Sequence, residues 1–296
     1  MNGAAAQVKK LLERRAPGAQ SLIVTLFGDT VAVHGGRVWL GSLIDALGAF
    51  GIKERLTRTS VFRLVKDDWL SVERIGRRAF YAFTPHGRRE YERTAQRIYA
   101  TNRATWDGAW TLAIPHAVSG PARERLRASL GWIGFGQLAS GVFAHPSGNR
   151  SALADVIDEL DLGGRVLVID ARIEDVDSLA ALARDRWRLP QLAARYRRFV
   201  RDFEPFETLP AKRTDPWHCY VVRTMLIHEY RRILLTDPDL PDALLPADWP
   251  GRAAARLARS LYLRLADATT AFVAQRFVDA DGPVAAPDAA FARRFA

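Results

Sequence analysis

The stretch Leu40–Thr84, LGSLIDALGAFGIKERLTRTSVFRLVKDDWLSVERIGRRAFYAFT, decides how the fold is read. Leu43, Ile44 and Leu47 recur at helical spacing and Gly48 and Gly51 loosen the end of the pattern, which predicts a helix over Leu40–Phe50. Another is predicted from about Lys53 to Asp68, with Leu56, Val61, Leu64 and Val65 turned inward. Two segments of strand composition come next. Leu70–Ile75 alternates apolar and polar residues, Ala79–Thr84 is aromatic, and Gly76-Arg77-Arg78 between them predicts a hairpin with a basic tip. Thr84-Pro85 then has the form of an N-cap followed by a first-turn proline, opening a charged helix through about Tyr99.

Upstream, Gln20–Val33 carries apolar residues at 22, 23, 26, 27, 31 and 33, and His34-Gly35-Gly36 ends that helical pattern. Three helices followed by a basic hairpin is the order of a winged helix-turn-helix, here over residues 20–100, after a basic tail at 1–19. In such a module the third helix enters the DNA major groove and the hairpin lies along the flanking backbone or minor groove. The candidate DNA contacts are therefore Arg55, Thr59, Arg63 and Lys66 in one polar stripe, with Arg58 and Ser60 flanking it, and Arg74, Arg77 and Arg78 on the hairpin. Guanidinium groups can fork onto a guanine edge, and hydroxyls can donate to phosphates.

The charge distribution points the same way. The net charge is +10, yet residues 1–100 hold 17 Lys/Arg against 9 Asp/Glu, while the other 196 residues hold 26 against 24. A positive field concentrated in one third of the chain favours a polyanion, because phosphate contacts release condensed counterions. No apolar run is long enough to span a bilayer, the N-terminus lacks the apolar core of a signal peptide, and the single Cys219 excludes an internal disulfide. These features predict a cytoplasmic protein of two or three domains.

Beyond Asn102 the texture changes. Trp106–Ala117 includes an apolar strand, Pro121–Leu130 and Ser151–Leu160 read as helices, Trp132–His145 is rich in glycine and apolar residues, and RVLVIDARI (165–173) is a strand. This alternation predicts an α+β middle domain of the ferredoxin-like kind, residues 101–185, assigned to dimerisation. Residues 186–296 read as a helical C-terminal domain with helices over Leu189–Phe203, Trp217–Leu235 and Arg252–Phe277, interrupted by the proline-rich DPDLPDALLPADWPG (237–251).

Three long segments, VWLGSLIDALGAFGIKERLTRTSVFRLVKDDWL (38–70), WDGAWTLAIPH (106–116) and WHCYVVRTMLIHEYRRILLTDPDLPDALLPADWPG (217–251), resemble the PaaX-type repressors of phenylacetic acid catabolism. The resemblance covers almost the whole chain. It implies a dimeric repressor with a winged-helix N-terminal domain, a ferredoxin-like middle domain and a helical C-terminal domain, released from operator DNA by phenylacetyl-CoA or a related aryl-CoA thioester. Such an effector needs cations for its phosphates and an apolar pocket for its acyl group. Arg195 and Arg198, with Arg197, and Arg223 and His228, with Arg231 and Arg232, are candidates for the first; Trp217, Tyr220 and Trp249 are candidates for the second.

Other chemistries find less support. His228-Glu229 begins like a zinc-protease motif, but Arg232 stands where the second histidine would be. His218-Cys219 has no further ligands at metal spacing, and Gly134-Phe135-Gly136 lacks the strand-turn-helix context of a dinucleotide site. The middle domain also resembles the fold of a CRISPR-associated nuclease-like subunit, whose first strand is expected to end in a metal-binding aspartate. Here that strand ends Ile114-Pro115-His116, so the alternative, a metal-dependent nuclease or a nucleic-acid-associated protein, is disfavoured. No cofactor, metal site or catalytic residue is expected.

Overall fold

The structure, a computed structural model, describes residues 3–100, 106–146, 150–172, 176–208, 210 and 214–295, without the side chains of residues 94 and 176–179. The chain forms two compact units, one of Met1–Thr101, Arg198–Arg232 and Arg252–Ala296, the other of Asn102–Arg197 and Ile233–Gly251.

The first unit opens with α1 (Gly3–Arg14), where the sequence predicts only a basic tail. Val8 and Leu11, three residues apart on one face, are buried and give this charged helix its reason to fold. Next come α2 (Ala19–Asp29), β1 (Arg37–Trp39), α3 (Leu40–Gly48), α4 (Glu54–Lys66), β2 (Leu70–Ile75), β3 (Arg78–Phe83) and α5 (Pro85–Tyr99). Nine of the eleven residues of α2 are buried, as befits a helix that is apolar nearly all round and packs against both α4 and α5. Gly28 lies inside α2, where glycine is unfavourable. The ring of Tyr91 on α5 occupies the place its Cβ would take, 2.0 Å from the nearest ring carbon.

The sheet order is β1-β3-β2, all antiparallel. Ile75 pairs with Arg78, leaving Gly76-Arg77 as a two-residue turn. A positive φ at Gly76 and none at Arg77 is the type II′ pattern, which matches the twist of the strands it joins. Thr84 caps α5 as expected, its hydroxyl accepting from the Gly87 amide at 2.9 Å.

The second unit contributes β4 (Ala109–Pro115), α6 (Gly120–Trp132), β5 (Gly136–Ala139), β6 (Val142–Pro146), α7 (Arg150–Glu159), β7 (Val166–Arg172) and α8 (Val176–Arg186). The stretch 132–145, a single apolar segment by composition, contains a hairpin that turns at Gly141, whose φ is positive. The elements follow the order β-α-β-β-α-β and the sheet runs β5-β6-β4-β7. One face of the sheet carries Ala113, Phe143 and Val168 against Leu126, Leu130 and Leu153 of the two helices. The other face carries Trp110, Leu112 and Ala144, and Leu244 of the proline-rich segment covers it. That segment holds a 3-10 turn, Asp242–Leu244, and its last two residues open the next helix.

The chain continues as α9 (Leu189–Phe203), α10 (Pro216–Leu234), α11 (Pro250–Arg264), α12 (Ala266–Arg276), β8 (Val278–Asp279), β9 (Gly282–Pro283) and α13 (Ala289–Ala292). The single helix expected over 252–277 is two, divided at Leu265. Among the described residues no helix is long and apolar enough to cross a membrane.

Candidate nucleic-acid interface

The inward face of α4 consists of Thr57, Ser60, Val61 and Leu64, spaced by three and four residues. Two expectations are corrected here. Leu56 points outward with 51 % of its surface exposed, and Ser60, expected beside the polar stripe, is buried at 4 %. The outward face presents Arg55, Arg58, Thr59, Arg63 and Lys66, all exposed, so the structure brings these five together on one side of one helix. Arg58 forms an ion pair with Glu54 one turn earlier at 2.8 Å, and the Thr59 hydroxyl donates to the Arg55 carbonyl at 2.9 Å. Arg55, Arg63 and Lys66 form no ion pair among the described residues.

On the hairpin, Arg74, Arg77 and Arg78 are exposed. Arg78 lies with its guanidinium 5.0 Å from the centre of the Trp39 ring, which holds it without neutralising it. Arg37, which no sequence motif singles out, donates to Glu73 of β2 at 2.7 Å and to Asp279 of β8 at 2.6 Å. Its charge is used to join the hairpin to the C-terminal segment. Two more bonds hold that segment to the N-terminal part of the unit: Val278 N donates to Ser42 Oγ of α3 at 3.0 Å, and His34 Nδ1, between α2 and β1, lies 2.7 Å from the Ala285 carbonyl.

The end of α2 carries a buried ionic network. Asp29, the last residue of α2, accepts from Tyr99 of α5 at 2.7 Å, from Arg223 of α10 at 3.2 Å and from Arg294 at 3.2 Å. Arg223 also donates to the Tyr262 hydroxyl at 2.7 Å and Arg294 to the same oxygen at 2.9 Å. Burial pushes the Asp29 pKa up, but the adjacent guanidinium charges and the hydroxyl hydrogen bonds outweigh it and hold the carboxyl below its usual range. Burial pushes the Tyr262 hydroxyl up to about 12, so it serves as a neutral donor and acceptor. Arg294 further donates to the Gly28 and Asp29 carbonyls at 2.8 and 2.5 Å, capping the end of α2.

A second buried group, His228 of α10, sits 3.1 Å by its Nδ1 from the Thr25 hydroxyl of α2. Burial, with Arg232 and Arg231 nearby, lowers its pKa to about 3. The imidazole is neutral when folded and titrates near pH 6.5 when unfolded, so the unfolded chain binds the extra proton between those values. Stability is therefore expected to fall by a few kcal/mol as pH drops from about 6.5 toward 3. Urea midpoints at pH 7.5 and 5.0 measure it, and His228→Gln should flatten the dependence; an identical pH response in both proteins would refute the assignment.

The expected effector residues are divided between the two units. Arg223, His228 and Tyr220 are core residues of the first unit, Tyr220 stacked on Phe272 with ring centres 4.4 Å apart. In the same unit Arg198 is exposed and Trp217 half-buried, its ring 4.8 Å from that of His218. Arg195 and Trp249 belong to the second unit, where Arg195 bonds the Thr236 hydroxyl and Trp249 packs edge-on against Tyr196. Burial pushes the Cys219 thiol up to about 11, leaving it protonated and unreactive. Among the described residues no group of three or more His, Cys, Asp or Glu side chains is placed to hold a metal ion.

Known proteins share both the sequence and the architecture. Residues 18–87 match the family described as PaaX-like protein, residues 103–183 the PaaX protein central Cas2-like domain, and residues 187–275 the PaaX-like protein C-terminal domain. The chain is 36 % identical over 281 residues to the transcriptional repressor PaaX of Escherichia coli strain K12, covering 93 % of this chain and 89 % of that one. Among solved structures it is similar to an uncharacterized protein from Mycobacterium tuberculosis, with 26 % identity, a TM-score of 0.55, and coverage of 84 % of this chain and 96 % of the other.

Proposed function

The chain belongs to the PaaX family, and from that premise we propose that it is a sequence-specific transcriptional repressor of an aromatic-acid catabolic operon of the phenylacetate type. It is a regulator and not an enzyme. The observation that carries the reading is the outward face of α4, where Arg55, Arg63 and Lys66 stand exposed and, among the described residues, without an ion pair, beside Arg58 and Thr59 and next to a hairpin tipped by Arg77. In this reading α2, α3 and α4 with the β1–β3 sheet are a winged helix-turn-helix at 20–100, α4 its recognition helix and β2–β3 its wing. Ser60 supports α4 from inside, and Arg74, Arg77 and Arg78 approach phosphates.

The middle segment, 101–185, is read as a ferredoxin-like domain that pairs two copies, so that two recognition helices reach half-sites about one helical turn of DNA apart. The C-terminal segment, 186–296, receives the effector, an aryl-CoA thioester such as phenylacetyl-CoA. Arg198, Trp217 and Arg195, with Arg197 and Arg232, are the effector candidates a solute can reach; Tyr220, Arg223, His228 and Trp249, with Arg231, would act from the interior by fixing the segments around them. Release requires that the thioester bind a non-binding state more tightly than the DNA-bound one.

A gel shift on DNA from upstream of the gene, repeated with phenylacetyl-CoA and with free phenylacetate, tests the whole reading. The expected result is a shift competed only by the same sequence and reversed only by the thioester. Equal competition by unrelated duplexes would overturn sequence-specific repression.

A further inference from the structure

The outward face of α4 is not purely polar. Phe62 leaves 70 % of its surface exposed, and it stands at the centre of that face and not at its margin. It follows Arg55 by two helical turns and Arg58 by about one, precedes Lys66 by about one, and lies opposite Thr57, Ser60, Val61 and Leu64, which mark the buried side. A lone exposed apolar side chain is ordinary on a protein surface. This one is ringed by cations. An apolar protein partner docking on Phe62 would have to desolvate Arg55, Arg63 and Lys66 without compensation, which is costly, whereas a polyanion supplies the compensating charge.

Within the major groove one feature suits an aromatic ring held among cations, the 5-methyl group of thymine. It is the only methyl group on the four base edges there, and side chains such as phenylalanine pack on it. We propose that Phe62 is a specificity-determining residue that reads thymine by packing on its 5-methyl group, while the surrounding cations hold the backbone and the guanine edges. The proposal rests on α4 being the helix that enters DNA. It adds a discrimination that the arginines cannot provide, since a guanidinium fork does not distinguish thymine from the same base without its methyl.

The test uses the full chain and a duplex recovered from a random-sequence pool by repeated selection on the wild-type protein. Each thymine is then replaced by uracil, which lacks only the 5-methyl group, and affinities are measured by fluorescence anisotropy at fixed salt. Wild type is expected to bind the uracil duplex about fourfold more weakly for each methyl contacted, the value of burying one such group. Phe62→Ala, which removes no core contact, should bind the thymine duplex as weakly as wild type binds the uracil one and should not distinguish the two. The proposal is overturned if wild type is indifferent to uracil, or if Phe62→Ala keeps the full discrimination, since another residue then reads the methyl. In either case weakening by Arg63→Ala leaves α4 as the DNA helix. A selection that enriches no duplex overturns the DNA reading itself and Phe62 with it.

Discussion

Asp29→Ala is expected to lower the unfolding free energy by about 3–5 kcal/mol, the cost of leaving buried charge without its partner. The substitution strands two guanidinium groups, those of Arg223 and Arg294, in a site where the carboxylate is their shared counter-charge. The Tyr99 hydroxyl loses its acceptor as well. Arg223→Met should cost less, because Arg294 still neutralises Asp29. The double variant Asp29→Ala/Arg223→Met should recover part of the loss by removing one of the stranded charges. Because the folded-state pKa of Asp29 lies below 3.8, its contribution is present above that pH and is lost on acidification through the lower value. Urea unfolding followed by circular dichroism at neutral pH and in acid measures both effects, and a loss under about 1 kcal/mol for Asp29→Ala would mean that the network is not what holds α2 in place.

The other large effect falls on DNA binding. Arg63→Ala should weaken binding to the selected duplex by about 1–3 kcal/mol and relax the preference at one base pair, as expected for a side chain reading a base edge. Arg77→Ala should weaken all duplexes alike and reduce the slope of log affinity against log salt by about one, the signature of a phosphate contact. Arg78→Ala combines a similar slope change with loss of its stacking on Trp39. Affinities measured across a salt series separate the two classes, and an unchanged slope for Arg77→Ala would take the hairpin off the DNA.

Much of the region from β2 to α5 is legible in the sequence because its signals are local. The alternation of LSVERI, the Gly76-Arg77 turn and the Thr84-Pro85 cap each depend on a few neighbouring residues, and each is found within a residue or two of its expected place. The inward face of α4 is less legible. Residue type places Leu56 inside and Ser60 outside, whereas helical phase, with 57, 60, 61 and 64 inward, decides the matter. Phe62 is hidden for the same reason, since residue type gives an aromatic side chain on a helix no claim to the surface. β1 has three residues, too few to show alternation, and exists because it pairs with β3. The helix in the first nineteen residues is masked by its charges, although GAAAQVKKLLER is composed mostly of good helix formers. The Asp29 network has no local signature at all, because its members are 194 and 265 residues apart in sequence.

That separation bears on how the chain is made. Asp29 closes α2 at the end where the helix dipole disfavours a negative charge, and Arg294 supplies both the counter-charge and the missing donors for the last carbonyls. At roughly 5–20 residues per second, about 10 to 50 seconds of translation separate the two. Tyr99 and then Arg223 are made within that interval, but until Arg294 follows, the Gly28 and Asp29 carbonyls at the end of α2 lack their guanidinium donor. The C-terminal end of α2 therefore completes its capping only after Arg294 has been made. A chain truncated before Arg294 is expected to fray at the C-terminal end of α2.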